Sequence, residues 1–175
     1  LTSTEGKSKA EIMKERLLDI NPSIEVCAIQ EYLREDRIDE IMSEKYDYVV
    51  DAIDTISPKI HLINQALKNG HKLVSSMGAG GKTDPSKIQI ADISKSYNDN
   101  LARMIRKRLH RLDIYTGFPV IFSSEQTNPE SIVFVEGEAN KKTTVGTISY
   151  MPALFGNFIA SVVIRDILNV LSENK

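Results

Sequence analysis

The chain has 175 residues, 41% of them apolar and 26% charged, the proportions of one ordinary globular domain, which excludes an intrinsically disordered segment. Twenty-two basic against twenty-four acidic residues leave a formal charge of -2, so no global field draws the chain onto nucleic acid and any such contact needs a local basic patch. A single cysteine, Cys27, and three histidines exclude an internal disulfide and a structural zinc site.

In chain order, apolar residues at Ala10, Met13, Leu17 and Ile20 predict a helix over 9–20 that stops at Asn21-Pro22. The segment 23–30 (SIEVCAIQ) is short and β-rich and is predicted as a strand, after which Ile38, Ile41 and Met42 take helical spacing. Segments 47–54 (DYVVDAID) and 71–77 are predicted as buried strands on either side of a helix over 58–68, which Asn69-Gly70 ends. This alternation signals βαβ units: parallel strands, helices on the sheet's faces, and ligands gathered at the strands' carboxyl ends, beyond Asp54 and Met77.

The second half changes character. Segments 87–93, 119–125 and 132–137 are predicted as strands, with a helix between the first two and a turn at 127–130 joining the last two as added antiparallel strands. The closing segment 153–171 is predicted as an apolar helix packed on the sheet. Its tract 158–171 contains Arg165 and Asp166 and, at about 14 residues, falls short of the roughly 20 that a bilayer span needs, so it is read as buried. The polar N-terminus carries no apolar signal-peptide core; the expected compartment is the cytoplasm, with association with a membrane as the alternative. The fold expected is α/β: a Rossmann-like, mostly parallel sheet with helices on both faces and additional antiparallel strands in the C-terminal half, forming a single domain over 1–175.

Several constellations bear on chemistry. Gly81-Lys82-Thr83 and Gly6-Lys7-Ser8 mimic a phosphate-binding P-loop, but Ser76 and Leu1 stand at the opening glycine, Asp84-Pro85 replaces the helix after the first, and no strand leads into the second. The turn Gly78-Ala79-Gly80-Gly81 is either a positive-φ turn or a bare backbone that admits a ligand; Thr83 stands where a dinucleotide loop has its third glycine. Asp54 closes an apolar strand, as a solvated acid beside a helix capped by Thr55 or Ser57, or as a ligand for magnesium or a nucleotide. Lys9 opens a helix and opposes its dipole, which suits an anionic partner or plain solvation. Over 101–112, Leu101, Met104, Ile105, Leu109 and Leu112 take one helical face, while Arg103, Arg106, Lys107, His110 and Arg111 form a basic stripe on the other. That stripe is a solvated surface or a contact for nucleic-acid backbone. Cys27, inside a predicted strand, reads as an inert core thiol, and His61, His71 and His110 show no triad-like context.

Taken together, GKSKAEIMKERLLDINP, YDYVVDAIDTISPKIHLI, SSMGAGGKTDPSKIQIADISKSYNDNLARMIRKRLHR and GTISYMPALFGNFIASVVIRDIL resemble the ThiF, MoeB and HesA superfamily of adenylating enzymes. Within it they closely resemble the tRNA threonylcarbamoyladenosine dehydratase family. The resemblance implies ATP-dependent dehydration of threonylcarbamoyladenosine in tRNA: ATP with Mg2+ adenylates the carboxylate, pyrophosphate leaves, and the ring closes as AMP departs. It makes Lys9 a phosphate contact and Asp54, the second acid of the 51–54 D-x-x-D run, the carboxylate for ATP and its metal. Thr55 stands beside them where the sulfur-carrier branches have Asn, and Lys9 and Asp54 become the catalytic pair. Arg103, Arg106, Lys107 and Arg111 would then hold tRNA. The implied partners are tRNA, a second copy in a homodimer, and a sulfur-transfer protein. No zinc is implied, since the paired C-x-x-C ligands of other branches are absent. The glycine-rich nucleotide loop of the superfamily has no counterpart in these residues, so the first βαβ unit is expected to be missing and ATP binding by this stretch alone impaired. Two alternatives stand beside this reading: an adenylyltransferase acting on the C-terminus of a ubiquitin-like sulfur-carrier protein, and a noncatalytic binding or sulfur-trafficking module.

Overall fold

A computed structural model describes residues 2–127, 132–134 and 143–173. The chain falls into two compact units, Leu1–Arg34 and Glu35–Lys175. In the first, helix α1 (Lys9–Ile20) has the bounds its apolar spacing predicts: Ser8 Oγ accepts the Glu11 amide at 3.4 Å at the N-cap, and the Asn21 amide closes the other end on Leu17 O. The strand expected over 23–30 does not form, and Cys27 is exposed rather than a core thiol. A strand is defined by its neighbours, and β-rich composition alone supplies none; among the described residues this segment has no ladder partner.

The second unit begins with α2 (Glu35–Ser43), which buries Ile38 and Met42. Strand β1 (Val49–Asp51), helix α3 (Ile56–Lys68) and strand β2 (Leu73–Ser76) form the expected βαβ unit, with Val49 opposite Leu73 and Asp51 opposite Ser75 in parallel register. Gly70, at φ +74, turns the chain out of α3 in a left-handed conformation that favours glycine. Beyond β3 (Ile88–Asp92) and α4 (Asn100–Leu109), strand β4 (Pro119–Ser123) enters the sheet beside β2, giving the order β1-β2-β4-β3. Strands β1, β2 and β4 are parallel, and β3 runs antiparallel to β4 with Ile88 opposite Ser123.

The antiparallel strands of the C-terminal half are present with a different partnership from that expected. Because β4 is hydrogen-bonded on both sides, by β2 and β3, it has no edge to offer the next segment. Strand β5 (Ile132–Phe134) pairs instead with β6 (Thr143–Val145) in a separate two-stranded sheet. Of the expected turn at 127–130, positions 128–130 lie outside the described residues, as do 135–137 of the expected third strand.

Alternation along the strands assigns the two faces. Val74 and Ile121 pack with Met151, Phe155 and Ile159 of the closing helix α5 (Tyr150–Glu173). Leu73, Ser75, Val120 and Phe122 therefore point to the opposite face, where α3 lies, flanked by α2 and α4. The expectation that the closing helix is buried holds only for its first half. At 24 residues it runs about 36 Å, far beyond strands of three to five residues, and Ile164, Ile167 and Leu168 are exposed on the overhang. By length and composition, Tyr150–Asn169 could cross a membrane.

Candidate active site at the carboxyl edge of the sheet

Three parallel strands end at one edge, with Asp51, Ser76 and Ser123 as their last residues. Asp54, three residues past β1, is exposed there. Thr55 occupies the N-cap position of α3, but its hydroxyl makes no cap hydrogen bond, and the helix starts at Ile56, so Pro58 lies inside the first turn. Capping by Thr55 therefore does not explain the D-T pair. Ser57 accepts from Arg108 Nη1 at 3.5 Å, which brings the basic helix α4 against the start of α3.

Beneath this edge lies a fully buried ion pair that sequence reasoning missed. Lys59 Nζ sits 2.7 Å from Asp51 Oδ2, with neither side chain exposed. The same ammonium donates to Ile53 O at 3.0 Å and Ser76 O at 2.8 Å. Asp51 Oδ2 also accepts from Ser75 Oγ at 2.6 Å, and its Oδ1 accepts from the Ile53 amide at 3.0 Å. Burial pushes the Lys59 ammonium below its ordinary range, against the pull of Asp51 beside it. A signal for this lysine was present: positions 59, 62, 63 and 66 share one helical face, and the other three are Leu, Ile and Ala, all buried.

The glycine turn after β2 is clamped from several sides. The Gly78 amide donates to Asp99 Oδ2 at 3.2 Å, and the Ala102 amide to Asp99 Oδ1 at 2.8 Å, so one buried carboxylate holds the turn and caps α4. Burial raises the Asp99 carboxyl above the usual range, and it lowers the Lys82 ammonium, which donates to Asn98 O at 3.2 Å and to Glu125 O. The Glu125 carboxylate accepts from the Thr83 amide, the Thr83 hydroxyl and the Asp84 amide at 2.8–3.0 Å. Burial works against the charged form, but those hydrogen bonds hold the Glu125 carboxyl below its ordinary value. A Cβ on Gly80 would stand 3.3 Å from Val145 Cβ, so this loop packs closely on β6. Lys82 is thus a structural clamp, in keeping with the failed P-loop match.

The basic stripe lies on α4 and the single 3-10 turn His110–Leu112 that follows. Arg103, Lys107 and Arg111 are exposed. Arg106 is half-buried and turned to Ser96 Oγ, so it is anchored rather than freely presented. The buried stripe is Ala102, Ile105 and Leu109; Met104 and Leu112, expected on the apolar face, are exposed. Asn98, Asn100, Arg103, Arg106 and Gln126 line a polar cavity of about 410 Å³ at the start of this helix.

Lys9 belongs to the first unit. It is exposed at the first position of α1 and, with Thr4, Gly6 and Lys7, lines a groove of about 700 Å³. Among the described residues no cluster of three His, Cys, Asp or Glu side chains could hold a metal ion. Asp54, an exposed carboxylate just past a strand's carboxyl end, fits a magnesium ion held otherwise by water and substrate phosphates.

The model of the ThiF family matches residues 2–175. The chain belongs to the ThiF family. Among relatives of this ThiF-family chain, the tRNA threonylcarbamoyladenosine dehydratase of Bacillus subtilis is 46% identical over 125 residues, covering 71% of the chain and 49% of that protein. The Escherichia coli protein of the same name is 42% identical over 104 residues, covering 59% of the chain and 39% of the relative. The chain thus spans about half or less of the length of these two relatives. The crystal structure of the E. coli dehydratase in complex with ATP superposes with a TM-score of 0.86 at 30% identity, covering 100% of the chain and 70% of that structure. That agreement also bears out the α/β architecture expected of a ThiF-family chain.

Proposed function

We propose that this chain acts in the ATP-dependent dehydration of threonylcarbamoyladenosine in tRNA. The observation that carries the reading is its match in fold over the whole chain to a dehydratase solved with ATP. The 46% identity to a second dehydratase supports it.

In this reading, the substrate carboxylate attacks the α-phosphate of ATP and pyrophosphate leaves; the neighbouring carbamoyl oxygen then attacks the activated carbonyl, the ring closes, and AMP departs with the acid's former oxygen. The attack is intramolecular, so effective molarity replaces a protein nucleophile. Lys9 serves as a phosphate contact. Asp54, with Thr55 beside it, presents a carboxylate at the strand terminus for the nucleotide's metal. Magnesium, when bound, neutralises charge on the phosphates as they separate. Arg103, Lys107 and Arg111 hold tRNA backbone through their exposed cationic groups, while Arg106 orients the helix through Ser96. A tRNA substrate suits a cytoplasmic setting.

The test incubates full-length protein with threonylcarbamoylated tRNA, ATP and Mg2+, digests the tRNA and separates the nucleosides by mass. The expected result is a nucleoside one water lighter, with one AMP and one pyrophosphate formed per turnover. Recovery of only the uncyclised nucleoside overturns the reading.

A further inference from the structure

The buried pair beneath the carboxyl edge has geometry that the core does not need. An ammonium taken wholly out of water loses several kcal/mol of hydration, and neutral residues of similar volume often hold a core as well or better. Lys59 nevertheless stands on the apolar face of α3, with all three of its donors used: Asp51 Oδ2, Ile53 O and Ser76 O. Two of those acceptors are backbone groups at the exits of different strands. Ile53 O belongs to the peptide unit that carries the Asp54 amide, and the Ile53 amide is itself held by Asp51 Oδ1. The peptide units on either side of Ile53 are therefore fixed from below, which sets where the Asp54 Cα stands. Ser76 O precedes Met77 and the glycine turn. One ammonium thus ties the exit of β1 to the exit of β2, and Ser75 Oγ locks Asp51 from the neighbouring strand.

We infer that the Lys59–Asp51 pair is a positioning device that aims the Asp54 carboxylate at the divalent cation of a bound nucleotide. Neither side chain reaches the cation itself, since both are fully buried. The inference rests on the assignment of Asp54 proposed above.

The test uses full-length protein and Mn2+ as the cation, titrated in the presence of a saturating nonhydrolysable ATP analogue and followed by the electron paramagnetic resonance signal of free Mn2+. Thermal melting is measured on the same samples, and pyrophosphate release is measured separately with ATP and threonylcarbamoylated tRNA over a range of Mn2+ concentrations. The Asp51→Asn, Lys59→Met double variant removes both charges and leaves none unpaired. It is expected to melt near the parent, bind Mn2+ at least tenfold more weakly, and need correspondingly more metal for half-maximal turnover. A folded double variant with the parent's Mn2+ affinity overturns the inference and leaves a purely structural pair. Ser75→Ala deletes only the hydroxyl that steadies Asp51 and is expected to weaken Mn2+ about threefold. If the double variant does not fold, unchanged Mn2+ affinity in Ser75→Ala overturns the inference instead. Asp54→Ala separates the two layers: unchanged Mn2+ affinity there overturns the metal assignment and this inference with it, whereas loss in Asp54→Ala but not in the double variant rejects only the positioning role.

Discussion

Asp92 closes β3, and its carboxylate accepts the Ser94 amide at 2.8 Å and the Gly117 amide at 2.9 Å. Burial favours the neutral acid, but hydrogen bonds from Ser94, Gly117 and Thr116 outweigh it and hold the Asp92 carboxyl at about 2. The unfolded carboxyl titrates near about 3.9. A folded value below the unfolded one contributes stability that is present above about pH 4 and is lost as pH falls through 2. Asp92→Asn keeps one acceptor oxygen but cannot titrate. Urea unfolding at pH 7 and pH 2.5 is expected to show the parent losing more stability than the variant across that interval; equal losses would contradict the linkage. Gly70 makes the opposite point about contacts. A Cβ there would meet nothing within 4 Å, yet φ is +74, so Gly70→Ala is expected to cost about 1 kcal/mol through left-handed strain alone. The same urea titration at pH 7 measures it.

At the scale of elements, α4 is the test case because it joins the edge loop to the basic surface. Ile105 is fully buried on its inner face and Met104 is exposed. Ile105→Ala is expected to cost about 2–5 kcal/mol, against less than about 0.5 kcal/mol for Met104→Ala, both read from urea midpoints. Met104 also shows where reading the sequence succeeds and fails. Spacing located α1, α2 and α4 and the βαβ unit, because helical periodicity and a terminal Asn-Gly are local signals. Of the inner face expected for α4, Ile105 and Leu109 are buried but Met104 and Leu112 are exposed, since Ala102, too small to stand out as apolar, takes an inner position and the tightening into a 3-10 turn at His110 carries Leu112 off the stripe. Reading the sequence also made a strand of 23–30, where pairing, a nonlocal property, decides. Asp54 was singled out as the acid closing a strand expected over 47–54, whereas β1 ends at Asp51 and Asp54 stands three residues beyond it. Asp51 and Lys59 were not legible, because a charged residue carries no mark of burial until its partner across 8 residues of chain is brought within 2.7 Å. Lys59 in a face of Leu62, Ile63 and Ala66 was the one trace of it.

At the scale of the molecule, the sheet orders its own stability. Among the described residues, strands β2 and β4 are paired on both sides and β1 and β3 on one, so amides of Val74 and Phe122 are expected to exchange with solvent most slowly, with those of the edge strands opening first. The distribution of charge leads to a further expectation. The chain as a whole is slightly acidic, and in the function proposed above its affinity for tRNA is assigned to the cations that α4 and the turn after it gather on one surface. Each exposed cation that neutralises a phosphate releases counterions, which steepens the fall of affinity with salt. Fluorescence anisotropy with tRNA between 50 and 200 mM salt is therefore expected to give a log–log slope that shallows by about 0.7–1 for each of Arg103→Ala, Lys107→Ala and Arg111→Ala. Arg106→Ala is expected to change the slope less and the melting temperature more, because its guanidinium already binds Ser96 within the fold. Slopes unchanged in all three exposed variants would move the RNA contact off this helix, while an Arg106 variant that behaved like the others would show that its anchorage gives way when tRNA binds.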